Sequence, residues 1–368
     1  MVTMDTSRAA AAQPDAIKMF SFGVFSKLEG AVTAGMIHLG DRLGLYTFLA
    51  QNSNVTSKVI ADGCGLHERW VREWAYNQAA AHLLTSHTSV DGEVLFGLSD
   101  EAVAVLATPE HPAYGMGMFH RLPQTMRSLD DMPTAFRTGL GLDYDSHGPE
   151  GAVGIERSFE PWNQAFLLPV VVPAVQGLHQ RLSEGASVVD IGCGAGGAAM
   201  LLAQTFPKSN FVGYDISRFA LERARERQSE RSLSNISFAD PRTSPTVQDG
   251  SVDFVMTFDC IHDMTHPQQM MQTIRRALRD DGVWLLVDIK ALDGLDQNMA
   301  KNPMASLMYG ISILSCMSSA MSSADGAGLG TLGLSAARAQ EMAESAGFTR
   351  FRQLDIDHSV NAFYEVRP

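Results

Sequence analysis

The stretch Ser187-Val-Val-Asp-Ile-Gly-Cys-Gly-Ala-Gly-Gly197 decides the fold. Val188, Val189 and Ile191 form an apolar run of the kind a parallel sheet buries on both faces. Gly192, Gly194 and Gly196 then let the backbone turn tightly and approach a ligand without Cβ obstruction. A helix expected over 197–206 presents its free N–H groups to that ligand. By spacing alone, Gly192-x-Gly194-x-x-Gly197 also satisfies the dinucleotide fingerprint. Asp190 separates the two readings, because a carboxylate two residues before the first glycine repels a pyrophosphate and attracts an ammonium group.

Two further strands end in acids. Asn210-Phe-Val-Gly-Tyr-Asp215 places a carboxylate 19 residues after Gly196, the reach of an acid that accepts hydrogen bonds from both ribose hydroxyls. Ile236-Ser-Phe-Ala-Asp240 repeats the pattern. On these residues the segment 188–368 resembles the class I S-adenosylmethionine-dependent methyltransferases. The resemblance implies S-adenosyl-L-methionine as cofactor and S-adenosyl-L-homocysteine as product. It gives Asp190, Gly192, Gly194 and Gly196 the methionyl part, Asp215 the ribose and Asp240 the adenine amino group. Ile216, Ala239 and Phe258, beside those acids and at the end of the next strand, complete the implied contacts.

The remaining pattern agrees with that fold. Val252–Phe258 reads as a fourth strand, 267–279 as a helix with proline in its first turn, and 281–288 as a turn into a fifth strand. Ser335 can cap a helix that stops near Gly347. Strands over 351–356 and 359–366 are separated only by Asp357 and His358, a link that requires antiparallel pairing. The expected class is α/β: a seven-stranded Rossmann-like sheet closed by a terminal antiparallel hairpin, preceded by a mainly helical winged-helix domain.

Before residue 185 there is no glycine-loop chemistry. Helical spacing runs through 31–49, a shorter helix begins at Thr56, a longer one covers 67–84, and Asp91-Gly92 marks a hairpin. This order resembles a winged helix, which serves as a dimerisation platform in two-domain small-molecule methyltransferases and binds DNA in regulators. Residues 1–110 carry seven Lys and Arg against twelve Asp and Glu, a net of −5, whereas a DNA-reading domain is normally basic. Dimerisation is therefore expected. The domains are 1–24, a mobile leader; 25–108, the winged helix; 109–184, connecting helices and substrate wall; and 185–368, the cofactor domain. Within the connection, 114–120 holds too many glycines for a stable helix, and a helix is expected around Phe159-Glu-Pro-Trp-Asn163. Met116, Met118, Phe119 and Trp162 fit either interdomain packing or substrate contact.

Composition narrows the partners. The net charge of −13 argues against nucleic acid, and the 45% hydrophobic content of the 368 residues is enough for two cores. Cys64, Cys193, Cys260 and Cys316 form no C-x-x-C pair, which fits a reducing cytoplasm. The most apolar run, 165–175, is too short to cross a bilayer, so no membrane partner is expected.

Methyl transfer from a sulfonium is an in-line displacement, so a hydroxyl acceptor needs positioning and a base. Phe258-Asp-Cys-Ile-His-Asp-Met264 follows the fourth strand and resembles the site of the catalytic histidine in two-domain O-methyltransferases. His262 is the expected base, with Asp263 beside it. Plant-type members commonly run His-Asp-Trp; here Met264 stands in place of the tryptophan, and spacing assigns no acid to orient the ring. A metal built from Asp259, His262, Asp263 and His266 is not expected, because magnesium prefers oxygen ligands. Trp162, Met308, Tyr309 and Met317 are the candidate walls of a small, largely apolar acceptor. The glycine-rich run 322–333 fits a lid or a plain connection. The function implied is O-methylation with His262 as base. N- or C-methylation by proximity, a non-catalytic cofactor-binding regulator and a nicotinamide oxidoreductase are the alternatives.

Overall fold

A computed structural model describes residues 12–244 and 247–368, which form two compact units meeting at residues 108 and 109. In the first unit the elements are α1 (Pro14–Arg42), α2 (Leu45–Gln51), β1 (Val55–Thr56), α3 (Ser57–Cys64), α4 (Glu68–Ala80), β2 (Thr85–Thr88), β3 (Val94–Gly97) and α5 (Asp100–Leu106). The strands pair antiparallel in the order β1-β3-β2. Thr56 caps α3 by accepting from Val59 N, and Gly92 closes the hairpin with a positive φ of 83°. Leu45, Tyr46, Leu49, Ile60, Trp74 and Phe96 fill the core, where Trp74 Nε1 donates to Met36 O at 2.9 Å.

Two expectations change here. The helical pattern over 31–49 is broken at Gly44, whose φ of 72° ends one helix and starts the next. The leader expected over 1–24 is helical from Pro14, with proline in the first turn and Asp15 at the positive end of the helix dipole; its residues 1–11 lie outside the described residues. Ile17, Met19, Phe20, Phe22, Phe25 and Leu28 on α1 are exposed.

The second unit begins with α6 (Met116–Arg127), α7 (Met132–Thr138) and α8 (Gly148–Phe166), continues through a π-helical turn (Leu167–Val171) and α9 (Val172–Ala174), and reaches α10 (Leu178–Glu184). There follow β4 (Ser187–Ile191), α11 (Gly197–Thr205), β5 (Asn210–Tyr214), α12 (Arg218–Glu230), β6 (Ile236–Ala239) and β7 (Val252–Phe258). A 3-10 turn (Ile261–Asp263) leads to α13 (Pro267–Ala277), β8 (Leu278–Ile289), α14 (Gly294–Lys301), α15 (Ala305–Leu314), α16 (Cys316–Ala320) and α17 (Ala336–Ser345), before β9 (Arg350–Gln353) and β10 (Asn361–Arg367). The seven strands are ordered β6-β5-β4-β7-β8-β10-β9. β4 to β8 are parallel, and β10 lies antiparallel between β8 and β9. Alternate residues feed two cores: Val188, Phe254 and Leu285 face one layer of helices, Val189, Val255 and Leu286 the other.

The terminal hairpin forms, but its link is 354–360 rather than two residues. Leu354 N still donates to Phe363 O at 2.8 Å, and Leu354 and Ile356 then turn into the core beside Val287 and Phe363. The run 322–333 is tied down, with Ala327 N donating to Thr265 O at 2.9 Å and Thr331 N to Ser312 Oγ at 3.0 Å, so the lid expectation gives way to an anchored connection. The glycine-bearing stretch 114–120, expected to be irregular, supplies the first turns of α6. A Cβ at Gly117 would sit 2.3 Å from Ser158 Oγ and 2.5 Å from Gly154 O on α8, so the glycine allows a close helix crossing whose packing outweighs its helix propensity.

That crossing makes a prediction against propensity. Gly117→Ala, which adds about 1 kcal/mol of helix preference, is expected to destabilise the protein by about 1–3 kcal/mol through overpacking. Urea denaturation of the two proteins measures the difference, and an unchanged or higher midpoint refutes the close-crossing account.

Candidate active site

Every parallel strand delivers an aspartate to the same edge of the sheet: Asp190 on β4, and Asp215, Asp240, Asp259 and Asp288 at or just past the ends of β5, β6, β7 and β8. The loop after β4 is folded against β5, with Gly192 N and Cys193 N donating to Tyr214 O at 2.8 and 3.1 Å. Gly192 has a φ of 69°, and a Cβ there would lie 2.6 Å from Cys260 Cβ, so glycine is required twice over. Asp215 holds the loop by accepting from Gly194 N through Oδ2 at 2.8 Å and from Ser217 N through Oδ1 at 2.7 Å. A carboxylate offers four lone-pair sites, so both oxygens keep capacity for a diol.

Asp190 is 3% exposed, and its Oδ1 has no hydrogen-bond partner among the described residues. Burial, and then the neighbouring Asp215, push its carboxyl well above the usual range. Asp215 is raised too, first by burial and against the pull of its backbone N–H partners. An orphaned acceptor beside a second buried acid fits a ligand that brings an ammonium group. Farther along the edge Asp240 is held down by Arg242, which donates from Nε at 2.9 Å and from Nη2 at 2.8 Å. Arg242 also donates to Ile216 O at 2.6 Å. Ile216 is 44% exposed beside that pair, while Ala239 O accepts from Asp215 N and the half-buried Phe258 ends β7.

His262 lies in the 3-10 turn directly after β7 and is 2% exposed. Its Nδ1 is 2.5 Å from Asp288 Oδ1. The β7–β8 register places Phe258 opposite Val287, so Asp288 falls beside the turn that carries the histidine. Burial draws the imidazole pKa down, but Asp288 and Cys316 outweigh it and leave it well above its ordinary value. Burial raises Asp263 to about 7, and burial followed by Asp288 does the same to Asp259, which also accepts from Asn361 Nδ2. Asp288, not the adjacent Asp263, bonds the ring. Among the described residues no group of three or more His, Cys, Asp and Glu is placed to hold a metal ion.

Comparison with known proteins agrees with this geometry. Residues 182–347 match the methyltransferase domain family, and residues 31–107 match the Rv2258c-like winged HTH domain. A methyltransferase domain thus follows a winged HTH domain, and the chain has the fold of two-domain class I methyltransferases. Human N-acetylserotonin methyltransferase in complex with SAM superposes with a TM-score of 0.68 at 14% identity, covering 97% of this chain and 99% of that one. The mitomycin 7-O-methyltransferase gives a TM-score of 0.67 at 20% identity, over 96% and 99%. In sequence, trans-aconitate 2-methyltransferase of Variovorax paradoxus is 36% identical over 104 residues, 28% of this chain and 38% of that protein. The chain spans less than half the length of the curated relatives it matches. S-adenosylmethionine is the cofactor of this family, and the orphaned Asp190 and the diol-ready Asp215 suit it.

The methyltransferase domain scatters the expected substrate wall. Met317 follows Cys316 on α16, next to the histidine turn. Met308 packs beside Ala291 and Leu332 in a separate cluster, and Tyr309 is 36% exposed. The ring of Trp162 stacks among Phe166, His358 and Phe363, with centroids 4.6–5.4 Å away. Met116 is buried, Phe119 half-buried and Met118 40% exposed. Asp288 and Cys316 were missed by sequence reasoning. For Asp288 the signal was present: an acid closing an apolar strand, the same feature that marked Asp190. Cys316 carried no signal, since 54 residues separate it from His262.

The orphaned carboxylate yields a test. Asp190→Asn keeps the shape but not the charge, and is expected to weaken S-adenosylhomocysteine binding by about 2–3 kcal/mol, the worth of a charge-assisted bond. The ligand-free variant should melt at the same or a higher temperature, because a buried carboxyl crowded by Asp215 is replaced by a neutral amide. Calorimetric titration and thermal melts of both proteins read the two effects; unchanged affinity refutes the ammonium site.

Proposed function

We propose that this protein moves a methyl group from S-adenosylmethionine to a hydroxyl on a small metabolite, with His262 as general base. The observation that carries the reading is the buried His262–Asp288 pair, set on the same strand edge as the orphaned Asp190. The bound cofactor supplies an electrophilic methyl on a sulfonium. Asp190 and Asp215 fix its two ends, so the methyl faces one direction. Nδ1 of His262 is engaged by Asp288, so the acceptor's proton would pass to Nε2 as the oxygen attacks, on a ring that the Cys316 side chain also meets. Asp288 holds the ring orientation and stabilises the imidazolium that forms, the role an acid plays behind a catalytic histidine.

Protonation sets the pH profile. The ring acts as base only when neutral, and its pKa is raised, so kcat/KM climbs with pH through a value above 6.5. Asp288→Asn removes the support that raises it, so the acid limb should move to lower pH while kcat falls. His262→Ala should lose about 10²-fold or more with a hydroxyl acceptor. S-adenosylhomocysteine release across pH, on a panel of phenols, catechols, amines and thiols, measures both. Turnover that survives His262→Ala favours the runner-up, transfer to an amine by proximity.

The first unit is proposed to pair two copies of the chain. The exposed apolar side chains of α1 form a patch of the kind soluble proteins cover, and the would-be recognition helix α4 has its cations neutralised, Arg69 by Glu73 at 2.5 Å and Arg72 by Glu68 at 3.4 Å. Sedimentation should give a dimer for the wild type and a monomer for the Phe20→Asp, Phe25→Asp double variant. A monomeric wild type refutes the pairing.

A further inference from the structure

Arg121 is a buried cation with no ion-pair partner among the described residues. It stands on α6, 6% exposed, and among the described residues the one hydrogen-bond partner of its guanidinium is Ser315 Oγ, 3.2 Å from Nη2. Ser315 Oγ lies in turn 3.1 Å from His147 Nε2, and both of these residues are buried. His147 adds no compensation: burial, and then Arg121, lower its pKa to about 4, so the ring is neutral near pH 7. The cation is nevertheless rigidly aimed. A Cβ at Gly154 would come within 2.7 Å of Arg121 Cβ, so α8 presses on the stem of the side chain while the hydroxyl fixes its head. Holding an unpaired guanidinium in such a place is costly, because burial strips its hydration with no opposite charge to replace it. A fold retains it where something else supplies the anion.

The position says what that anion belongs to. Ser315 touches the guanidinium, and the next residue, Cys316, meets the imidazole of His262. The Tyr144 hydroxyl is within electrostatic reach of Arg121 and Cys316 and also of Asp263 and Asp215, and its ring stands edge-on to His147 at 5.2 Å. The proposed base and a cationic fork thus lie beside consecutive residues, Cys316 and Ser315, one meeting each of them. From this juxtaposition we propose that the methyl acceptor is a small hydroxy acid, its hydroxyl at His262 and its carboxylate held by Arg121. Two oxygens match the planar fork, whose remaining N–H groups meet no acceptor among the described residues. A carboxylate fits better than a phosphate, because a single positive charge balances a monoanion. The proposal rests on the methyltransferase reading and narrows the largely apolar acceptor expected from sequence to an apolar body with one acidic end.

Matched probes test it: 4-hydroxybenzoate against 4-hydroxybenzamide, and 3-hydroxy-2-naphthoate against 2-naphthol, titrated into protein saturated with S-adenosylhomocysteine. At least one acid should bind about tenfold or more tighter than its neutral partner, the gain of a charge-assisted bond. In Arg121→Gln that advantage should vanish while S-adenosylhomocysteine affinity stays at the wild-type value; Arg121→Lys should keep part of it. No acid preference in the wild type, or a preference that persists in Arg121→Gln, overturns the assignment. Loss of S-adenosylhomocysteine binding by the wild type instead removes the methyltransferase reading itself. Arg121→Met gives a check independent of any ligand: its melting temperature should equal or exceed that of the ligand-free wild type, and a clear fall means that Arg121 is a structural residue, which overturns the proposal.

Discussion

Five carboxylates at the ends of five parallel strands set the terms for the rest of the catalytic unit. Parallel strands share one carboxyl edge, where burial, joined by neighbouring carboxylates, raises Asp190, Asp215 and Asp259, while Arg242 holds Asp240 down. The unit answers the repulsion differently at each position. Asp215 takes backbone N–H groups, Asp240 takes Arg242, Asp259 takes Asn361 and Asp288 takes His262. Asp190 takes nothing through Oδ1. Among the described residues Asp288 Oδ2 is also left without a partner, on the histidine side, and Asp190 Oδ1 stays open at the glycine loop, where a cationic ligand would complete it.

The same logic of compensation runs through the acceptor side. His262 gains its basicity from Asp288, a residue 26 positions away that only the β7–β8 register brings alongside. Arg121 inverts the situation, a buried cation where the strand edge has a buried anion. Both orphaned charges sit within one unit and within reach of Tyr144 or its neighbours. Their opposite signs give the cleft a polarity along which a bifunctional acceptor and a cationic donor can each take one orientation.

The cofactor half was legible in the sequence because its signals are local: strand, acid and glycine follow one another within eleven residues, and the acids Asp215 and Asp240 repeat the pattern. Base position was legible for the same reason. His262 lies four residues beyond a strand end that the apolar run already marks. Its partner was not assigned, since pairing across a sheet depends on register rather than spacing. Helix α6 was missed because propensity counts Gly117 as a breaker, whereas the crossing with α8 needs a residue without a side chain there. Helix α1 shows the converse: an apolar segment read as a leader folds into a helix whose exposed side chains ask for a partner that sequence alone does not name. Arg121 gave no signal at all, because an arginine becomes informative only once its surroundings are known to lack an acid.

A crystal structure of the protein grown with S-adenosylhomocysteine tests the central claim most directly. The account predicts the ligand's ammonium within hydrogen-bond distance of Asp190 Oδ1, its ribose hydroxyls on Asp215, and its sulfur facing the side of the cleft that holds Nε2 of His262. A ligand seated elsewhere, or one that leaves Asp190 Oδ1 unpaired, contradicts it.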